Sequence, residues 1–339
     1  LAILCGMAVG AAVTGNTVIM KPAEQSSLVA KGLMDLMIEA GFPSGVVQFL
    51  PGLGEVVGEY LVQHPLTATI AFTGSKTVGL HILNAASTIK PGQKHVKRCM
   101  IEMGGKNAVI IDNDADLDEA VDGVLYSAFG FSGQKCSAAS RVIVLDEVYD
   151  KFVQRLVEAA RSIEQKPAMH PKAYFGPVVD SDAYQRIMNL IANYKNEYQL
   201  LFEGEKIEGG YFVPAVIFGD VNPASRLAQE EIFGPVVAVI RAKDLESAIE
   251  IANSTEYALT GGLFSRSPVN IQKVREQFEC GNLYINRGIT GAMVDRHPFG
   301  GFKMSGIGSK TGGPDYLKQF MEPRVVTENL MRRGFTPES

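Results

Sequence analysis

The chain has 339 residues, of which 46% are hydrophobic, and it carries a formal net charge of −5. A chain of this length and composition can bury a large core and is expected to divide into two domains. The mildly acidic balance lacks the basic footprint of a protein that binds nucleic acid or an anionic membrane surface.

The cysteines and histidines limit the redox and metal chemistry. The four cysteines are widely spaced and form no CxxC pair: Cys5, Cys99, Cys136 and Cys280. This spacing is typical of a reducing compartment, so we expect a cytoplasmic protein with neither a disulfide framework nor a zinc site. Five scattered histidines without an HExxH motif give little basis for any metal. The apolar start, LAILCGMAVGAAVTG, has no basic flank and is too short and glycine-broken to span a bilayer.

Short β-branched runs alternate with amphipathic stretches over the first hundred residues. The pattern predicts strands at 16–20, 46–50, 67–72 and 96–102. It predicts helices at 28–40 and 55–63, and a third helix that begins at Ser75. Strict alternation of strand and helix predicts a parallel sheet with helices on both faces.

Ligands bind such sheets beyond the carboxyl ends of the strands. Lys21 and Glu24 follow the first strand, where a lysine can meet phosphate or ribose and a carboxylate can accept from ribose hydroxyls. Gly52 and Gly54 follow the second strand and form an incomplete glycine motif. Ser75 begins a helix whose free N–H groups suit a pyrophosphate. Taken singly, each glycine pair is equally well explained as an ordinary turn.

The α/β pattern starts again at Gly104. Strands are predicted at 107–111, 141–145 and 283–286, with helices at 116–129 and 149–163. These elements indicate a second α/β domain over 104–308. The remaining residues, 309–339, contain a short apolar segment at 320–326 and a polar tail.

Two residues are candidates for chemistry. Cys136 lies in FGFSGQKCSAASR, among small and polar residues with Lys135 beside it. A nearby positive charge favours the thiolate, which attacks carbonyl carbon, although a lone cysteine is more often buried and inert. Glu102 lies in IEMGGKN among apolar neighbours, and burial would raise its pKa into the range of a general base. The alternative for Glu102 is a strand-edge acid paired with a surface lysine.

Six motifs, in order, resemble the aldehyde dehydrogenase superfamily across essentially the whole chain. They are MKPAEQSS, FTGSKTVG, EMGGKN, SGQKCSA, EEIFGPV and HPFGGFKMSG. The resemblance implies an α/β fold with an incomplete Rossmann-type NAD-binding domain at 1–103, a catalytic α/β domain at 104–308, and a tail at 309–339 that carries an oligomerisation strand. It implies NAD as the cofactor, a small-molecule aldehyde as the substrate and a homo-oligomer in the full-length form, without nucleic acid or membrane as partners.

The resemblance also implies a role for each matching residue. Cys136 resembles the nucleophile, and Glu102 resembles the base that activates the deacylating water. Asn107 belongs to the same motif as Glu102 but receives no definite role. The residues that resemble cofactor ligands are Lys21, Glu24, Gly54, Ser75, Glu231 and Phe233.

The segment INRGITGAMVDRHPFGGFKMSGIGSKTGGPDYL is similar to glutamate-γ-semialdehyde (1-pyrroline-5-carboxylate) dehydrogenases, which stand alone or form one module of bifunctional proline-catabolic enzymes. Their substrate carries an amino-acid head group, so its carboxylate needs a site. The resemblance implies that a glycine-rich loop, here Thr290-Gly291-Ala292, and the serine after the nucleophile, here Ser137, bind this carboxylate. Backbone N–H groups and a hydroxyl suit such a site, whereas the alternative for the loop is a flexible segment. The predicted substrate-binding residues are Lys135, Ser137, Gly291, Ala292 and Phe299.

Three functions remain open on the sequence. The first is NAD-dependent oxidation of L-glutamate γ-semialdehyde to L-glutamate, the second is oxidation of a different semialdehyde, and the third is a catalytically silent homologue. The family's PWNFP-like motif, whose asparagine donates to the oxyanion, would lie before Leu1. The chain is therefore expected to be part of a longer one or a truncated protein; a truncated form would have low stability and little activity, with 320–326 as an unpaired edge.

Overall fold

The computed structural model describes residues 1–331 and residue 334. The helices are α1 (Ala2–Val13), α2 (Ser27–Glu39), α3 (Glu59–Gln63), α4 (Lys76–Ser87), α5 (Leu117–Phe129), α6 (Asp146–Ala160), α7 (Ser181–Glu197), α8 (Arg226–Gln229), α9 (Leu245–Asn253) and α10 (Pro268–Gln277). Short 3₁₀ turns cover Glu24–Ser26, Gly130–Gly133 and Leu317–Phe320, and a π-helical turn covers Gly54–Gly58.

The strands are mostly short and are named in chain order. They are β1 (Val18–Met20), β2 (Val47–Phe49), β3 (Thr69–Thr73), β4 (Arg98–Glu102), β5 (Asn107–Ile111), β6 (Ala139–Leu145), β7 (Gln199–Glu203), β8 (Val216–Gly219), β9 (Val236–Ala242), β10 (Tyr257–Ala258), β11 (Thr260–Phe264), β12 (Asn282–Ile285), β13 (Phe302–Lys303) and β14 (Gly306–Ile307).

The first four strands pair in parallel, as predicted, but they do not form one sheet. β1 pairs only with β2, while β3 pairs with β4 in a separate sheet. The expectation of a single continuous sheet over the first hundred residues is therefore wrong. β1 and β2 have three residues each, so each offers few backbone groups for pairing with a further strand.

The second α/β region is built on a seven-stranded sheet in the order β12-β11-β5-β6-β9-β8-β7. All neighbours are parallel except β7, which runs antiparallel to β8 at one edge. Alternate residues of β5 face opposite sides, with Ala108 and Ile110 in one apolar core and Val109 and Ile111 in the other. Helices α7, α9 and α10 cover the first face, and α5 and α6 cover the second. Burial on both faces explains why β5 reads as an unbroken apolar run.

A pair of two-residue strands connects the two regions. β13 pairs antiparallel with β10, and β14 pairs antiparallel with β4, where Gly306 lies opposite Glu102. The segment after β14 returns beside Phe299, which exchanges backbone hydrogen bonds with Thr311. The end of β4 is consequently enclosed by residues 299–311.

The carboxyl-terminal segment is irregular. Phe320 ends a 3₁₀ turn, and residues 321–331 have no regular secondary structure. The oligomerisation strand of the 309–339 tail stays a prediction, because such a strand forms only where a partner strand pairs with it. Part of the predicted polar tail, 332–333 and 335–339, lies outside the described residues. Within the described ranges, no helix combines the length and apolar character needed to cross a membrane.

Candidate active site

The predicted cofactor residues after β1 and β2 lie together. Lys21 Nζ donates to Glu24 Oε1 at 2.7 Å. A Cβ on Gly54 would lie 3.8 Å from that carboxyl oxygen and 3.9 Å from the ammonium. Lys21 and the Gly54 N–H hold the pKa of Glu24 below its usual value, so Glu24 is ionised at neutral pH. A lysine, a carboxylate and a bare glycine thus converge, which fits a nucleotide ribose and its phosphates.

Ser75 lies where the sequence predicted a helix start. Its side chain accepts a hydrogen bond from Val78 N at 3.3 Å and caps α4. The first N–H groups of an α-helix have no partner within the helix, so the start of α4, just after β3, offers donors that suit a phosphate.

The segment before Cys136 has unusual backbone geometry. Phe131 and Ser132 both adopt φ +58°, a left-handed conformation that costs a residue with a side chain about 1–2 kcal/mol. The Ser132 hydroxyl donates to Gly176 O at 2.8 Å and holds this conformation. Gly133 follows with φ +66°, and a Cβ there would lie 2.3 Å from Gly234 O. Close approaches of Gly176 and Gly234, which lie outside the turn, therefore hold its conformation.

Asn107, the first residue of β5, holds the turn that contains Cys136 against the sheet. Its side-chain amide donates to Cys136 O at 2.7 Å and to Ala138 O at 2.8 Å. Its carbonyl oxygen accepts from Thr260 N at 2.9 Å. Gly105 allows this approach, because a Cβ there would lie 2.6 Å from Cys136 O. The sequence marked Asn107 as a motif residue but did not reveal this role.

The electrostatic surroundings of Cys136 differ from the expectation. Burial and, to a smaller extent, the carboxylates of Glu102 and Glu231 raise the pKa of the thiol to about 12, although the backbone N–H groups of Ser137 and Cys136 lower it in part. Lys135 instead places its Nζ over the Tyr126 ring, 5.5 Å from the centroid. The prediction that Lys135 favours the thiolate is wrong, because the charges that act on the sulfur are negative and come from distant segments.

Glu102 ends β4 and faces the same site. Among the described residues, its buried Oε2 has no hydrogen-bond partner. Burial, offset in part by the positive charge of Lys310, raises the pKa of Glu102 to about 7. The predicted raised pKa is confirmed, and the alternative of a surface ion pair at a strand edge is not what forms here. A carboxyl group with a pKa near 7 can accept a proton at neutral pH.

Glu231 and Phe233 lie on the loop after α8. Glu231 Oε1 accepts from Gly105 N at 3.0 Å, and a Cβ on Gly104 would collide with its carboxyl group. Burial raises the pKa of Glu231. Phe233 has φ +54° and a half-exposed ring. The loop thus brings a carboxylate to the Gly104-Gly105 turn, between Glu102 and Asn107.

The predicted carboxylate loop rests on the helix that leads to Cys136. Ile289 N donates to the Ser127 hydroxyl of α5 at 3.0 Å. Thr290 is buried, and its hydroxyl has no hydrogen-bond partner within the described part of the chain. Gly291 follows with φ +82° and open space around it.

The remaining predicted substrate residues are Ser137, Ala292 and Phe299. Ser137 is buried, and its carbonyl oxygen accepts from Thr260 Oγ1 at 3.2 Å. Ala292 is half-buried beyond Gly291, and Phe299 is half-buried at the start of the 299–311 segment.

Two lysines of the site escaped the sequence reasoning. Lys310 lies beside Glu102, and burial lowers the pKa of the fully buried Lys106 to about 7. Both lie in segments that carry the resemblance, Lys106 in EMGGKN and Lys310 in the carboxyl-terminal segment, but the sequence does not reveal which distant residues each one contacts. An open cleft of about 790 Å³, lined by Asp122, Arg155 and Tyr174, lies on α5 and α6 and includes none of the predicted site residues.

The chain belongs to the aldehyde dehydrogenase family. The family model matches residues 1–326, and the two α/β regions with Cys136 between α5 and β6 agree with that assignment.

Particular relatives narrow the comparison. The chain is 48% identical to 1-pyrroline-5-carboxylate dehydrogenase of Bacillus subtilis (strain 168), over 97% of this chain and 64% of the relative. A solved 1-pyrroline-5-carboxylate dehydrogenase from Thermus with bound NAD matches with a TM-score of 0.93 and 50% identity, over 95% of this chain and 62% of that one. Proline utilization A (PutA) of Bdellovibrio bacteriovorus matches with a TM-score of 0.97 and 73% identity, over 100% of this chain and 35% of that one. The chain therefore spans less than two thirds of these relatives.

Proposed function

We propose that the protein containing this chain oxidises L-glutamate γ-semialdehyde to L-glutamate with NAD, in proline degradation. The observation that carries the proposal is the convergence of Cys136, Glu102 and Glu231, which come from three separate segments held together by Asn107 and the Gly104-Gly105 turn. The similarity to proteins named 1-pyrroline-5-carboxylate dehydrogenase supports this substrate.

The chain's own residues account for the covalent steps. The Cys136 sulfur adds to the aldehyde carbon, and the backbone N–H groups at Cys136 and Ser137, which act on the sulfur before the reaction, would stabilise the resulting oxyanion. Bound NAD would supply the hydride acceptor that turns the thiohemiacetal on Cys136 into a thioester. Glu102 then takes a proton from water, the water oxygen bonds to the thioester carbon, and the Cys136 sulfur leaves as the acid is released.

Lys21, Glu24, Gly54 and Ser75 fit the cofactor. The Lys21–Glu24 pair and the bare Gly54 make a pocket for a ribose, and the α4 N-terminus offers donors to phosphate. The ionised Glu24 would repel a 2′-phosphate, which favours NAD over NADP. Glu231 and Phe233 would hold the nicotinamide ribose and ring.

The amino-acid head of the substrate needs a site that a simple aldehyde does not. The Thr290-Gly291-Ala292 turn and the Ser137 hydroxyl would bind its carboxylate, with Lys135 and Phe299 lining the pocket. The protein is further proposed to be a cytoplasmic homo-oligomer, with neither nucleic acid nor a membrane as its partner.

The central test measures NADH formation by the intact protein. Rates on L-glutamate γ-semialdehyde are compared with those on succinate semialdehyde and betaine aldehyde, and a preference for the substrate with the amino-acid head supports the proposal. Cys136→Ser should abolish turnover while NAD binding persists. Equal rates on all three aldehydes would point to another semialdehyde, and an inactive intact protein would point to a silent homologue.

The cofactor residues have their own test and matched control. Glu24→Gln should raise the KM for NAD by about tenfold, since one charge-assisted contact typically contributes about 1.5–3 kcal/mol. It should also reduce the preference of the enzyme for NAD over NADP, because the charge that repels a 2′-phosphate is removed. Lys31→Ala breaks an exposed pair with Asp35 on α2 and should leave the KM unchanged. Identical KM values for the two variants would remove Glu24 from the site.

A further inference from the structure

Glu102 is enclosed by backbone that offers it no hydrogen bond. A Cβ on Gly300 would lie 2.8 Å from Glu102 Oε1, and a Cβ on Gly306 would lie 3.5 Å from Oε2. Two glycines therefore approach the carboxyl group, and within the described residues Oε2 has no partner. A buried carboxylate in such surroundings needs a nearby positive charge to remain ionised.

Lys310 supplies that charge from the other side of Gly300. Its Nζ donates to Gly300 O at 2.8 Å and to Gly281 O. The same Cβ on Gly300 that would touch Glu102 would lie 3.5 Å from Lys310 Cα and Cγ. Both acceptors are neutral carbonyl groups, so these bonds hold the ammonium in place without cancelling its charge.

We propose that Lys310 is a positioning residue for Glu102, and that its fixed positive charge, acting across Gly300 rather than through a hydrogen bond, sets the pH range in which Glu102 is an active base. This inference rests on the proposed function, because it assigns Glu102 the role of base.

The ionisable groups around Glu102 agree with this assignment. Lys310 lowers the pKa of Glu102 against the larger effect of burial, while burial lowers the pKa of Lys310 and Glu102 opposes part of that lowering. Cys136 and Tyr316 also face Glu102, and its negative charge raises the pKa of both. Lys310 is thus the cation that acts on Glu102, while the other two groups are neutral at pH 7. Cys280 lies on the far side of Lys310 and has a raised pKa, so it is neutral as well.

Three substitutions separate charge from tethering in the intact enzyme. Lys310→Met removes both, Lys310→Gln keeps a donor without the charge, and Lys310→Arg keeps both. The acidic limb of the kcat–pH profile should move upward by about one pH unit in Lys310→Met and Lys310→Gln, so that kcat well below the limb falls about tenfold. Lys310→Arg should keep the limb in place. Lys318→Met, which removes an exposed lysine paired with Asp315, is the control and should match the wild type.

A role limited to tethering gives a different result. If Lys310→Met lowers kcat equally at every pH while the limb stays where it is, the proposal is overturned. The same question is answered without turnover by infrared titration of the protonated-carboxyl band of Glu102, assigned as the band lost in Glu102→Gln. A midpoint that moves upward in Lys310→Met supports the inference even if the intact protein oxidises no aldehyde, and an unmoved midpoint overturns it.

Discussion

Replacing Asn107 by alanine should loosen the turn that contains Cys136 and lower the free energy of unfolding by a measurable amount. The side chain is buried and makes three hydrogen bonds, to Cys136 O, Ala138 O and Thr260 N. Asn107→Ala leaves two carbonyl groups and one N–H group without this partner, and each buried unsatisfied group costs about 1–3 kcal/mol. Because a carbonyl oxygen tolerates the loss better than an N–H group, we expect a decrease of about 3–5 kcal/mol in the free energy of unfolding.

Two assays measure the effect on the intact protein. Urea unfolding gives the change in stability, and the rate of Cys136 alkylation in the folded protein reports on the turn. Burial is the main cause of the high thiol pKa, so a looser turn should lower that pKa and make alkylation near neutral pH faster. Asn113→Ala is the matched control, since Asn113 is exposed and makes a single 3.3 Å side-chain bond to Glu147; it should change stability by less than about 0.5 kcal/mol. If Asn107→Ala and Asn113→Ala unfold at the same urea concentration, the turn is not held by Asn107.

Three further substitutions test the packing and charges of the site. Glu102→Gln should stabilise the fold by about 3 kcal/mol above pH 7 and should have no effect below about pH 4. The pKa of Glu102 is raised from its ordinary 4.5 to about 7, mainly by burial, so ionisation of Glu102 destabilises the native state as pH rises through that window. Unfolding curves at the two pH extremes check this, and equal shifts at both would contradict it. The same variant should speed alkylation of Cys136 a few-fold near neutral pH, since one of the negative charges that raise the thiol pKa is gone, and a slower reaction would refute this reading. Gly281→Ala should destabilise the protein by about 2 kcal/mol or more, because its Cβ would lie 1.9 Å from Gly300 O, whereas Gly32→Ala in α2 meets open space and should stabilise by about 0.5–1 kcal/mol; thermal unfolding distinguishes them, and shifts of the same sign would argue against the close approach.

The sequence predicts best where burial is uniform. The strand predicted at 107–111 forms at those bounds, because every residue of β5 is buried and the apolar run has no exposed position to blur its ends. The helix predicted at 116–129 forms as α5 after the N-cap Asp116. In both cases one local pattern determines the element.

Prediction fails where a second segment decides the outcome. β13 and β14 have two residues each and carry no periodic pattern, yet β14 encloses Glu102. The position of Lys310 is equally unpredictable from the local sequence, since only the return of the chain past Gly300 brings it close to Glu102.

The protonation of Cys136 is also determined by segments that are distant in the sequence, and this has a consequence for the mechanism. Lys135 is adjacent in the chain, yet the charges that act on the sulfur belong to Glu102 and Glu231. Because the repulsion between an ionised Glu102 and a Cys136 thiolate is reciprocal, the site disfavours the presence of both charges at the same time. In the proposed reaction this orders the steps. The sulfur can carry its charge while Glu102 is protonated, and Glu102 can act as the base once the sulfur is bound in an uncharged thioester.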